Sequence, residues 1–118
     1  MHHGLDFLSN TGEKVISPGD GVVTYIGKRG GYGKVVRINH GFGYETLYAH
    51  LSKYKVKKGQ KIKRGDLIAL TGNSGNLSTG PHLHYEVRHN GISLNPRNFI
   101  FDDLKLFDKP NRKMLANK

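Results

Sequence analysis

Residues 80–88 read GPHLHYEVR, and the alternation inside this stretch decides how the chain is built. Side chains at i and i+2 of a β-strand share a face. His82 and His84 therefore project together, about 7 Å apart along the backbone. Leu83, Tyr85 and Val87 turn to the opposite side, into a core. Pro81 suits the first position of a strand, where no ladder donor is needed. A strand with apolar residues on one face and two imidazoles on the other is half-buried and bears a site.

The rest of the chain reads in the same way. Short β-rich runs lie at 13–17, 21–28, 33–39, 44–50, 67–71, 83–88 and 92–94, separated by PGDG (18–21), RGGYG (29–33), HGFG (40–43), KKGQ (57–60), KRGD (63–66) and HNG (89–91). Short strands at this spacing predict an antiparallel sandwich or barrel. Asn90-Gly91 is a two-residue hairpin signal, because both central residues need positive φ. No segment before residue 100 carries a helical apolar stripe. Sixteen glycines in 118 residues, about twice the usual ~7%, agree with many tight turns.

Composition removes several classes. Charged residues are 24% and hydrophobic ones 36%, enough for one modest core. No apolar run approaches the ~18 residues of a membrane-spanning helix. The absence of Cys excludes disulfides and any thiolate zinc site. The net charge of +10 is concentrated at Lys53, Lys55, Lys57, Lys58, Lys61, Lys63 and Arg64. That run reads first as a solvated hairpin whose lysines discourage edge pairing, and second as a surface that attracts polyanions. No aromatic residues interleave with it in a nucleic-acid module, so a nucleic-acid partner is not expected.

Seven histidines are many for this length. His40 and His89 read as ordinary strand-end residues. The others gather in His2-His3-Gly4-Leu5-Asp6, in Tyr48-Ala49-His50-Leu51, and in the stretch quoted first. If residues 4–8 are extended, His2, Gly4 and Asp6 share a face, and Gly4 leaves a gap between two polar groups. His2, Asp6 and one imidazole from far along the chain make a three-donor N/O set. A catalytic zinc site uses such a set and keeps its fourth position open. Bound zinc brings the pKa of water to roughly 7 and polarises carbonyl oxygens. His50, ending an apolar strand, is placed to serve as a general base or to steady an oxyanion.

Three segments together resemble the LytM/lysostaphin-type zinc metallopeptidases: His2-His3-Gly4-Leu5-Asp6-Phe7, Tyr48-Ala49-His50-Leu51-Ser52 and Pro81-His82-Leu83-His84-Tyr85-Glu86. The connecting pieces Gly19-Asp20-Gly21-Val22-Val23, Gly43-Tyr44-Glu45-Thr46-Leu47 and Gly72-Asn73-Ser74-Gly75 agree. The resemblance implies a small antiparallel β sandwich with a groove-shaped active site. It implies one Zn²⁺ held by His2, Asp6 and His84, with His50 and His82 as non-ligand catalytic histidines. The implied substrate is the peptide part of bacterial peptidoglycan, with D-alanyl–diamino-acid crosslinks favoured over glycyl-glycine bridges. The implied setting is the cell envelope, periplasmic or extracellular, with no signal or anchor within this chain.

The resemblance covers about residues 2–98, so a metallopeptidase domain is expected over 1–100, with an N-terminal flank lying outside it. Residues 101–118 are expected to form a polar C-terminal tail, with a short helix capped by Asp108 and admitting Pro110 in its first turn. The alternative function is a non-catalytic domain of the same type that binds cell wall or activates another wall hydrolase. A carrier domain is disfavoured, because no Lys occupies a modifiable hairpin-tip setting.

Overall fold

A computed structural model of the chain describes residues 4–75, 80–94 and 114–117. Ten strands account for most of these: β1 (Leu5–Leu8), β2 (Lys14–Ile16), β3 (Gly21–Lys28), β4 (Lys34–Gly41), β5 (Tyr44–Tyr54), β6 (Lys61–Ile62), β7 (Leu67–Thr71), β8 (His82–His89), β9 (Ile92–Leu94) and β10 (Met114–Asn117). A single 3-10 turn, Gly30–Tyr32, joins β3 to β4. The main path runs β10-β1-β8-β5-β4-β3-β6, with β9 beside β8 and β2-β7 branching from β5. Every pairing is antiparallel. The fold is all-β, as the strand spacing predicts.

β5 organises this sheet. Tyr44–Ala49 pairs with β8, whereas Leu51–Tyr54 pairs with β7. The neighbour changes at His50, whose φ is +60°. This left-handed conformation is uncommon outside Gly, though His is among the residues that tolerate it. It breaks the alternation, so Tyr48 and Leu51 both enter one core. That core joins Val15 of β2, Val36 and Ile38 of β4, Ile68 of β7, and Leu83, Tyr85 and Val87 of β8. Across the sheet, Val35, Leu47 and Ala49 form a smaller cluster with Tyr25 and Tyr32.

Several elements depart from the expectations. β5 runs four residues past His50. Lys61–Ile62 pairs with β3 as a two-residue edge strand. Its Ile62 is buried, while Lys53, Lys55, Lys57, Lys58, Lys61, Lys63 and Arg64 are all exposed, as a solvated edge requires. The helix expected around Asp108–Pro110 lies outside the described residues. Residues Met114–Asn117, expected to belong to a polar tail, form β10 against β1. That pairing occupies the backbone edge of β1 that would otherwise face outward. At Asn90-Gly91 both residues have positive φ, as the hairpin reading requires. No described helix is long and apolar enough to cross a membrane.

Leu83 is fully buried behind the histidine-bearing face of β8. Leu83→Ala should destabilise the fold by about 2–5 kcal/mol, the usual cost of a buried Leu truncation. Phe42, 96% exposed at the β4–β5 turn, should cost less than about 0.5 kcal/mol when changed to Ser. Urea denaturation of the two variants measures both.

Candidate functional site

β1 and β8 pair with Asp6 directly opposite His84, while Ala49 of β5 lies opposite His84 on its other side. Residues 78 apart in sequence thus come into contact: His84 Nδ1 lies 2.9 Å from Asp6 Oδ1. Gly4 permits the approach. A Cβ there would meet the Tyr85 carbonyl oxygen, the His84 ring and the Glu86 side chain. The gap that Gly4 was expected to leave is therefore filled by His84 and Glu86.

His82 and His50 complete the cluster. His82 Nδ1 donates to the Gly80 carbonyl at 2.7 Å, and its Nε2 lies 3.6 Å from Asp6 Oδ1. His50 Nδ1 donates to the Ser74 carbonyl at 2.6 Å. The His50 ring centroid is 4.7 Å from that of His82 and 6.1 Å from that of His84. A carbonyl oxygen only accepts, so both Nδ1 atoms carry the proton and both Nε2 atoms keep a lone pair when the rings are neutral. The left-handed backbone at His50 places this ring among the others, where a regular strand would send it into the core beside Tyr48.

Glu86, two residues beyond His84 on the same face, was not among the expected site residues. It has no exposure to solvent. Its Oε2 accepts from His84 Nε2 at 2.8 Å and from the Tyr32 hydroxyl at 2.9 Å. Its Oε1 accepts from Arg88 at 2.8 and 3.2 Å. The i, i+2 alternation that pairs His82 with His84 also carries Glu86 and Arg88, and was the available signal.

Asp6, His50, His82, His84 and Glu86 are each at most 6% exposed, so their charges are set by one another more than by water. Burial drives His50 below the usual His range, against the pull of the Ser74 carbonyl and with help from His82 and His84. Burial also acts to lower His84, but its hydrogen bonds to Asp6 and Glu86 prevail and raise it. Burial acts to raise Glu86, and its bonds from His84, Arg88 and Tyr32 prevail and keep it a carboxylate.

The donor set is compatible with a zinc ion. Two donors on one tetrahedral zinc stand roughly 3.3 Å apart at ordinary bond lengths, close to the Asp6–His84 separation. Ligating histidines usually give their other nitrogen to a carboxylate or carbonyl, as His84 does to Glu86. Among the described residues, no group of three or more His, Cys, Asp or Glu side chains forms a metal-holding cluster. His2, the remaining expected ligand, lies outside the described residues. Of the expected residues, Asp6, His50, His82 and His84 are brought together. His40 is occupied by the Asp20 carbonyl and the Thr46 hydroxyl. His89 bonds the Phe42 carbonyl and stacks on Tyr44.

Several known proteins are similar to this chain. The chain is 51% identical over 96 residues to an uncharacterized metalloprotease of Haemophilus influenzae, covering 80% of this chain and 20% of that protein. It is 49% identical over 94 residues to the peptidoglycan DD-endopeptidase ShyA of Vibrio cholerae, covering 80% and 22%. The chain thus spans about a fifth of the length of these relatives. A zinc-containing peptidase from Vibrio cholerae superposes with a TM-score of 0.75 at 46% identity, over 79% of this chain and 28% of that one. The model of Peptidase family M23 matches residues 1–96; with Asp6, His50, His82 and His84 gathered on one face of an antiparallel sheet, the chain belongs to that metallopeptidase family.

Proposed function

We propose that this chain is a zinc-dependent endopeptidase acting on peptide crosslinks of bacterial peptidoglycan in the cell envelope. The observation that carries the reading is the division of the histidines. His84 gives its two nitrogens to Asp6 and Glu86, whereas His50 and His82 each bond a main-chain carbonyl through Nδ1. On this division His84, with Asp6 at one nitrogen and a buried carboxylate at the other, is the ligand, and His50 and His82 keep a free Nε2 with which to carry a proton.

In this reading Asp6 and His84 hold Zn²⁺, and His2 is the third donor. A bound zinc ion supplies Lewis acidity, polarising the scissile carbonyl and making water acidic near neutral pH. The remaining chemistry belongs to the chain. One of His50 and His82 takes the proton of the attacking water on Nε2, and the other stabilises the developing oxyanion. Burial keeps His50 neutral and able to accept that proton. The Ser74 and Gly80 carbonyls hold the Nδ1 proton of each ring; the base then uses its free Nε2 lone pair, and the oxyanion stabiliser acts as the imidazolium, donating from Nε2. Similarity to a relative named as a DD-endopeptidase supports D-alanyl–diamino-acid crosslinks over glycyl-glycine bridges as the substrate.

The zinc-loaded chain, incubated with sacculi of several crosslink types, should convert crosslinked muropeptide dimers to monomers, read by mass spectrometry. Binding to sacculi without new fragments would favour a non-catalytic wall-binding or activating role.

Metal analysis should find one zinc per chain, with a large loss in His84→Ala. His50→Ala and His82→Ala should retain zinc and lose about 10²–10⁴ in rate, the usual contribution of a general acid or base. Loss of metal from either of those variants would reverse the division.

Chelation should lower the melting temperature while leaving the strands folded, because the main core of Val36, Ile38, Tyr48 and Leu83 is separate from the donors. Zinc at 100 times its Kd adds about 2.7 kcal/mol by mass action. Far-UV circular dichroism of the chelated protein at 25 °C should match that of the zinc-loaded form.

A further inference from the structure

We infer that Tyr32 is a positioning residue of this site: through Glu86 it fixes which nitrogen of His84 faces Asp6. The inference rests on the zinc reading above.

Glu86 Oε2 is shared by two donors, His84 Nε2 at 2.8 Å and the Tyr32 hydroxyl at 2.9 Å. Arg88 occupies the other oxygen. The carboxylate is wholly buried, so water does not replace a missing donor readily. With Oε2 pinned from both sides, His84 meets a fixed acceptor at Nε2, and its Nδ1 is left toward Asp6. The Tyr32 ring adds a stack on His84, with centroids 5.5 Å apart and planes inclined by 25°. Rotation of the imidazole would break that stack and the Glu86 bond together.

The turn that presents Tyr32 is itself rigidly seated. Arg29 N–H donates to the Gly33 carbonyl, and Tyr32 N–H to the Arg29 carbonyl, each at 2.9 Å. Gly33 has φ 67° and ψ −135°, a region open in practice to Gly alone. A Cβ on Gly33 would meet the Ser74 backbone, and one on Gly75 would meet the backbone of Gly31 and Gly33. The Tyr32 turn therefore lies backbone to backbone against the segment whose Ser74 carbonyl holds His50.

Tyr32→Phe removes the hydroxyl and keeps the stacked ring. Competition with a chromophoric chelator should show zinc affinity about fivefold weaker than wild type, the scale of one hydrogen bond. Glu86→Gln should weaken it by about 10–100-fold, as loss of a ligand's outer partner does. The metal-free melting temperature of Tyr32→Phe should stay within about 4 °C of wild type. Wild-type zinc affinity in Tyr32→Phe overturns the inference, whether the change lowers only the melting temperature (a packing role) or raises only KM (a substrate contact). Should Glu86→Gln fail to fold, Tyr32→Phe alone decides. A wild-type chain that takes up no zinc in the same titration contradicts the zinc reading, and this inference with it.

Discussion

Antiparallel pairing of β1 with β8 sets Asp6 across from His84, and the other features of the site depend on this register. A slip of one residue would turn His82, His84 and Glu86 into the core and bring Leu83, Tyr85 and Val87 to the surface. The three apolar residues, together with Tyr48 of the adjoining strand, make that slip costly. The register is thus held by apolar burial on one face of the sheet, and the polar constellation on the other face inherits its order. The close passage of Gly4 over His84 and Glu86 adds a steric condition that a side chain at this position would violate.

The second constraint is the parting of the sheet at His50. β7 and β8 both pair with β5, on successive lengths of it, and a bridge between Gly72 and His82 joins them where they diverge. The left-handed residue that absorbs this change of partner is one of the proposed proton carriers. Its backbone conformation costs energy for a non-Gly residue, offset by the fully buried Tyr48 and Leu51 on either side and by the bond to Ser74. Strain located at a site residue, with packing around it, is a common arrangement where geometry serves chemistry.

Much of this was legible in the chain, for physical reasons that differ by element. The two faces of β8 follow from period-2 alternation, and the Asn90-Gly91 hairpin from its need for positive φ. The contact between Asp6 and His84 does not follow from any local pattern, because 78 residues separate them; resemblance to a known family supplied it. The His50 backbone was not legible, since YETLYAHLSKY reads as an uninterrupted strand and only its change of neighbour bends it. Glu86 obeys the same alternation as His82 and His84, but that alternation alone does not mark it as a site residue. A carboxylate on a half-polar strand ordinarily faces water, and its burial depends on Tyr32, which arrives from a turn 54 residues earlier. The two-residue β6 and the tail strand β10 carry too few residues to show a period.

The central claim is that His84 meets its metal through Nδ1 while Glu86 keeps Nε2. Anomalous diffraction at the zinc edge from crystals of the zinc-loaded chain tests it directly. The account predicts one peak bonded to Asp6 Oδ1 and His84 Nδ1, with the His84 Nε2–Glu86 hydrogen bond intact and His50 and His82 outside bonding distance. A zinc bound at His84 Nε2 with Glu86 displaced, or bound to His50 or His82, would contradict it.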